Sequence, residues 1–167
     1  MSNARILVIS DVDGCLTTGQ FIYTADGKVA KVFGANDHEG IKLLRKNNID
    51  VEFITADKTG LPITMTRMKE LHCKCTLVSE ADRAKYIFDK YKEGYEIIVF
   101  FGDGVGDSVV KRKGYCDYFI VPENARQQAK NVASAIMEHS GGNGAFMDLA
   151  YWTCNKLLRN FIDLYEW

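Results

Sequence analysis

Two short acidic clusters carry the densest chemical potential in this chain. Asp11-Val12-Asp13-Gly14 ends the first apolar run, Arg5 to Ser10. Gly102-Asp103-Gly104-Val105-Gly106-Asp107 follows the run Glu96 to Phe101. Both runs read as buried strands, and carboxylates at the carboxyl ends of parallel strands converge on one crevice. Four like charges gathered there repel one another unless a cation holds them. Hard oxygen donors of this kind suit Mg²⁺, which keeps coordination positions open for phosphate oxygens. The pattern therefore points to phosphoryl chemistry. Within the first cluster the two aspartates stand two residues apart, just past a strand end. One can attack phosphorus while the other exchanges a proton with the leaving oxygen, which two adjacent residues could not both do. Thr55 ends a third apolar strand, where its hydroxyl could hold a phosphate oxygen.

The elements that must position these groups follow from periodicity. Strand-like apolar runs alternate with helical patterns, the mark of an α/β domain with a parallel sheet. Gln20 to Phe33, broken by Ala25-Asp26-Gly27, reads as a β-hairpin. A short helix begins near Asp37 and ends at Asn47-Asn48; Asp50 to Thr55 is a core strand; a helix follows from about Pro62, a residue suited to a first helical turn. Cys75 to Val78 is a short strand. Ala84, Ile87, Phe88 and Tyr91 at i, i+3, i+4, i+7 mark an amphipathic helix. After the strand ending at Phe101 and the second acidic loop, a helix runs to about Lys113, then a strand over Tyr118 to Val121. Ala129, Val132, Ala133, Ile136 and Met137 form a further helical stripe. Gly141 to Gly144 breaks the chain, and Phe146 to Phe161 marks the longest helix, with Trp152 and Trp167 expected in the core or an interface. Residues 1–167 read as one domain with no repeat or linker, and residues 1–4 carry no weight in this assignment.

Composition bounds the class. The chain has 167 residues, 47% apolar and 26% charged, with net charge −1. That suffices for one domain with a sizeable core. Lys and Arg are scattered, so nothing suggests a nucleic-acid surface. No apolar stretch approaches the ~20 residues of a membrane span, and no signal-peptide pattern opens the chain. Five cysteines at irregular spacings form no disulfide framework. His72-Cys73-Lys74-Cys75 lacks the second ligand pair of a zinc site. Reduced thiols in a cytoplasmic protein are the expectation. His38 and His139 read as loop residues more than ligands, and Asn124 as a cap of the helix that follows it.

Asp11-Val12-Asp13-Gly14-Cys15-Leu16-Thr17, Thr55 after its strand, and Gly102-Asp103 with Asp107 resemble the haloacid dehalogenase superfamily of phosphatases. The segments Gly19 to Phe33, Phe33 to Ile41 and Gly141-Gly142-Asn143-Gly144-Ala145-Phe146 extend the likeness to its capless subgroup acting on phosphorylated sugar acids. That subgroup includes the 8-phosphate phosphatases of 3-deoxy-octulosonate and the 9-phosphate phosphatases of nonulosonates. The resemblance runs over roughly residues 5–150 and implies a Rossmann-like fold, helices on both faces of a parallel sheet, a hairpin flap and no cap domain. It implies Asp11 as the nucleophile forming an aspartyl-phosphate and Asp13 as the proton donor to the leaving group. Mg²⁺ would be held by Asp11, the Asp13 backbone carbonyl and Asp103, with Asp107 in support. A homotetramer is also implied, its hairpins packing around neighbouring sites.

The departures fall on the cationic side. Where the family has a lysine opening the helix after the third strand, this chain has Arg83, with Lys85 two positions on; either could contact phosphate. The family's Thr-Gly is Thr55-Ala56 here, followed by Lys58, a further candidate phosphate ligand. Gly102-Asp103-Gly104 replaces Gly-Asp-Asp, and Ser140 and Met147 stand where the subgroup has arginines. Two other function classes share parts of the pattern. A degenerate relative kept as an oligomerising or regulatory partner would explain the lost cations but not the retained carboxylates. A signalling receiver domain would need an aspartate after the third strand, and Cys75-Thr76-Leu77-Val78 offers none.

Overall fold

The computed structural model describes residues 4–166; Trp167 lies outside them. Among the described residues the chain forms eight strands and six α-helices. Six strands form one parallel sheet in the order β5-β4-β1-β6-β7-β8: β1 Ile6–Asp11, β4 Asp50–Thr55, β5 Lys74–Leu77, β6 Ile97–Phe101, β7 Tyr118–Val121 and β8 Ala135–Ile136. β2 (Thr17–Thr24) and β3 (Gly27–Phe33) pair only with each other, as an antiparallel hairpin.

Strand residues alternate between two cores because successive side chains point to opposite faces. Ile6 and Val8 of β1 face one cluster, Leu7 and Ile9 the other; Val99 and Phe101 of β6 oppose Ile98 and Phe100 in the same way. The first face is covered by α1 (Asp37–Lys46), α2 (Leu61–Leu71) and α6 (Ala145–Leu157), which contribute Ile41, Leu44, Met68, Phe146 and Leu149. The second is covered by α3 (Glu80–Asp89), α4 (Val105–Arg112) and α5 (Gln127–Lys130), through Ala84, Ile87, Val110 and Ala129. A sheet buried on both faces explains why its strands read as near-continuous apolar runs. The expected α/β architecture with helices on both faces and a hairpin flap is what the chain adopts.

Three expectations are corrected. The stripe from Ala129 to Met137 is not one helix. It stops at Lys130, and the chain turns into β8, where Ser134 N–H donates to Phe119 O at 2.7 Å and Met137 N–H to Val121 O at 2.8 Å. Backbone groups of β7 that would otherwise face solvent thereby gain partners. The last helix ends at Leu157, where the chain becomes extended at Leu158; Phe161 lies in the following coil, edge-on to Tyr151 at 6.2 Å. Tyr91 belongs not to α3 but to the 3-10 turn Lys90–Glu93. Trp152 packs edge-on against Tyr118 at 5.4 Å. Among the described residues no helix is long and apolar enough to cross a membrane.

Candidate active site

The parallel register sets the catalytic edge. Asp11 ends β1 opposite Ile54, one residue short of Thr55 at the end of β4, and Ser10 pairs with Phe101 at the end of β6. The ends of these three strands thus bring Asp11, Thr55 and the loop carrying Asp103 together. Beyond Asp11 the chain turns tightly: Cys15, Leu16 and Thr17 all donate their N–H groups to Val12 O, at 3.2, 2.9 and 3.1 Å. Gly14 has φ +86°, and a Cβ there would lie 2.0 Å from Asp103 Oδ2. Only glycine lets the two acidic loops approach this closely.

The turn is clipped from behind by the glycine-rich segment. Asn124 Nδ2 donates to Gly14 O at 3.0 Å, and its Oδ1 accepts Gly141 N–H at 2.7 Å. A Cβ on Gly141 would sit 2.1 Å from Gly14 O. Asn124 therefore does not cap the next helix, whose cap position is Arg126; it ties two loops together. His139 is exposed, with Nδ1 2.9 Å from Asp148 Oδ2.

Asp107 lies in the first turn of α4. Its Oδ2 accepts the N–H groups of Asp103 and Gly104 at 3.0 and 2.9 Å, satisfying donors that a helix start leaves free. Its Oδ1 pairs with Arg83. Arg83 is in the first turn of α3, which Ser79 caps by accepting Asp82 N–H at 3.2 Å. Both terminal nitrogens of Arg83 also reach Asp11, at 3.4 Å each. Asp11, Asp103 and Asp107 can each offer an oxygen such that all lie within 4.8 Å of one another.

Burial and crowding set the charge states. Burial, then the neighbouring Asp107, push the Asp11 carboxyl well above the ordinary carboxylate range; Arg83 pulls the other way without prevailing. Burial and Asp107 raise Asp103 to about 7. Burial works against charge on Arg83 too, but Asp11 and Asp107 outweigh it and raise its pKa further. Burial and then Asp103 raise the Cys15 thiol, so no thiolate competes at the site. A hard-oxygen cluster short of positive charge is the donor set that suits a divalent cation, and Asp11 with Asp103 fit that role. Asp107 is already engaged with backbone donors and Arg83, so it supports the cluster. The carboxyl of Asp13 points elsewhere, toward the hairpin.

The crevice measures about 520 Å³ and is lined by Asp11, Asp13, Phe21, Lys28, Ala56, Asp57, Glu80, Arg83, Asp103 to Gly106 and Asp107. Thr55 is buried; its hydroxyl donates to Asp13 Oδ2 at 3.4 Å and accepts Asp57 N–H at 3.1 Å. Of the two cations expected after β5, Arg83 enters the site and Lys85 does not. Lys85 is exposed one helical turn from Asp89, with which it pairs. Lys58 is exposed and does not line the crevice.

Lys28, Lys31 and Asp57 escaped sequence reasoning. Lys28 Nζ lies 2.5 Å from Asp57 Oδ2 and 3.7 Å from the Phe21 ring centre. Lys31 Nζ lies 2.9 Å from Asp57 Oδ2 and 2.9 Å from Asp13 Oδ1. Burial opposes the Asp57 charge, but hydrogen bonds from Lys28 and Lys31 overcome it and hold this carboxyl well below the usual range. In a regular strand, residues three apart point to opposite faces. Here Ile22 pairs with Ala30 but Tyr23 with Lys28, so Val29 is an extra residue in β3. The bulge turns Lys28 onto the same side as Lys31.

No protein-family model matches the chain. The 3-deoxy-D-manno-octulosonate 8-phosphate phosphatase KdsC of Haemophilus influenzae is 31% identical over 147 residues, covering 86% of this chain and 79% of the relative. A cobalt-bound structure of the Haemophilus influenzae phosphatase superposes with TM-score 0.80 at 27% identity, over 92% of this chain and 88% of that one. The Moraxella catarrhalis enzyme, crystallised with magnesium, phosphate and its KDO molecule, gives TM-score 0.80 at 26% identity over 92% and 87%. With that relationship along most of its length, the chain belongs to the 3-deoxy-D-manno-octulosonate 8-phosphate phosphatase family of haloacid dehalogenase phosphatases and is a phosphoric monoester hydrolase.

Proposed function

We propose that this protein is a Mg²⁺-dependent phosphatase of a phosphorylated keto-sugar acid, of the 3-deoxy-octulosonate 8-phosphate or nonulosonate 9-phosphate type, working through an aspartyl-phosphate. The observation that carries it is the placement of Asp11, buried among Asp103, Asp107 and Arg83, with Asp13 at the same crevice. Bound by Asp11, the Asp13 carbonyl and Asp103, the cation would screen the carboxylates from the phosphate and stabilise charge on its oxygens.

The residues of the chain supply the rest. An Asp11 oxygen attacks phosphorus as the bond to the leaving oxygen breaks, and Asp13 gives that oxygen its proton. Asp13 then takes a proton from water, whose oxygen attacks phosphorus and releases Asp11 and inorganic phosphate. Arg83 presents a planar pair of donors beside Asp11, suited to two phosphate oxygens at once. Ala56 borders the same pocket, and Thr55, buried behind it, braces Asp13 through its hydroxyl. The Lys28, Phe21 and Glu80 side of the crevice is left for the leaving group.

With no inserted domain over the crevice, water must be excluded by the hairpin, a neighbour or the substrate. The hairpin exposes Phe21, Ile22, Tyr23, Val29 and Val32, a patch suited to packing against other copies in a homotetramer. Light scattering on the purified chain checks this, and a monomer at micromolar concentration refutes it. The five free thiols suit a reducing, cytoplasmic setting. The activity itself is tested by phosphate release from a sugar phosphate panel with and without Mg²⁺, in wild type and Asp11→Asn. Turnover of aryl phosphates alone would refute the sugar-acid substrate, and equal rates in the two proteins would refute the nucleophile.

A further inference from the structure

The Lys31 side chain has no solvent exposure. An ammonium taken out of water must be met by oxygens, and three residues meet this one. Nζ donates to Asp13 Oδ2 at 3.1 Å and to Thr64 Oγ1 at 2.9 Å, and forms an ion pair with Asp57 Oδ2 at 2.9 Å. Asp13 Oδ1 is also 2.9 Å from Nζ, out of line for a hydrogen bond and with no other partner.

These partners depend on Lys31 unequally. Asp57 pairs with Lys28 and accepts from Thr59 Oγ1 and Gly60 N–H, each at 3.1 Å, so it is held without Lys31. Thr64 is buried in α2 and serves Lys31 as a fixed acceptor. Asp13 has one other side-chain partner, Thr55 at 3.4 Å. Asp57 and Thr64 therefore act as the anchor, and Asp13 is what the anchored ammonium holds.

We infer that Lys31 is the positioning residue of Asp13, reaching from the hairpin to fix its carboxyl and to meet the negative charge it gains on giving up a proton. This rests on Asp13 being the acid of the proposed reaction. When the phosphorus–oxygen bond breaks, the proton moves from Asp13 to the leaving oxygen, and the resulting carboxylate is paired with Lys31 at once. An alkoxide leaving group needs that proton; p-nitrophenolate leaves without it. Lys31 should thus matter for alkyl phosphates far more than for aryl ones, a selectivity that mere anchoring of the hairpin cannot produce.

The test is kcat/KM with Mg²⁺ for p-nitrophenyl phosphate and for the fastest alkyl phosphate of the sugar phosphate panel. It compares wild type, Asp13→Ala, Lys31→Met and Thr64→Val. Lys31→Met/Asp57→Asn, which removes one charge of each sign, is carried alongside in case the single variant fails to fold. Asp13→Ala should lose roughly 10²- to 10⁴-fold more on the alkyl than on the aryl substrate. Lys31→Met, or its charge-balanced form, should lose about 10- to 100-fold more on the alkyl substrate, with Thr64→Val smaller in the same direction. A folded Lys31 variant that loses equally on both substrates, or loses nothing, overturns the inference while leaving the Asp13 assignment intact. An unselective Asp13→Ala overturns the acid assignment and this inference with it.

Discussion

Arg83 faces Asp11 with both terminal guanidinium nitrogens, at 3.4 Å each, while one of them also pairs with Asp107. The nucleophile candidate and the buried helix-start carboxylate thus share a single cation. Arg83→Met leaves both carboxylates buried and unpaired. It should cost about 3–5 kcal/mol of stability and abolish turnover. Arg83→Lys keeps the charge but loses the fork, so it should fold and show kcat/KM lowered roughly 10- to 100-fold. Chemical denaturation beside steady-state kinetics checks both; a Lys variant as fast as wild type would show that the fork does not grip phosphate.

Asp11 and Asp103 both hold protons more tightly than free carboxyls, Asp103 titrating near 7. A metal needs them ionised, so binding releases protons at neutral pH. Mg²⁺ affinity should rise between about pH 6 and 8, with a calorimetric enthalpy that varies with the ionisation heat of the buffer. At about 100 times its dissociation constant, Mg²⁺ should add ~2.7 kcal/mol of stability, which Asp103→Asn should remove. An equal thermal shift in that variant would place the cation elsewhere.

The carboxylate side of the site was legible because residue type and strand ends determine it: an aspartate at the end of a buried apolar run has little choice of location. The cationic side was not. Arg83 and Lys85 stand two apart on a helix, roughly 200° around it, so only one can face the site, and the Ser79 cap decides which by setting where α3 begins. Lys28 and Lys31 went unnoticed within the hairpin, because the extra residue at Val29 that faces them together leaves no mark in a period-two pattern. β8 was hidden for a related reason. Its two residues take their conformation from the open edge of β7, a tertiary demand that the local helical stripe cannot express.

Asn124 bonds both the turn after Asp13 and the glycine segment. Asn124→Ala leaves the Gly141 N–H and the Gly14 carbonyl without these partners. It should cost about 1–3 kcal/mol and lower kcat more than it raises KM, since the turn aims Asp13. Asn124→Asp keeps the acceptor for Gly141 but loses the donor to Gly14, so it should fall between. Urea denaturation and Mg²⁺-supported turnover of the three proteins check the order; wild-type kcat in Asn124→Ala would show that the turn holds its shape alone.

Asp37 opens α1 with 1% of its surface exposed, and its Oδ2 has no hydrogen-bond partner. A helix start favours an acid, and Arg67 and the Gly34 backbone favour ionisation, but burial outweighs them and lifts the carboxyl from 3.8 to about 7. Between those values the folded chain holds a proton that the unfolded chain has lost. Stability therefore falls as pH rises through that window and levels off above it. A shift of this size corresponds to roughly 4 kcal/mol as an upper bound. Asp37→Asn removes the ionisable group and should be more stable than wild type at pH 8. Its advantage should shrink steadily toward pH 4, where the wild-type carboxyl is protonated in both states. Urea denaturation of the two proteins across this range isolates the effect, because Asp11 and Asp103 titrate in both and cancel in the difference. A difference that stays constant with pH would mean that Asp37 is ionised in the folded protein, with Arg67 closing on its free oxygen.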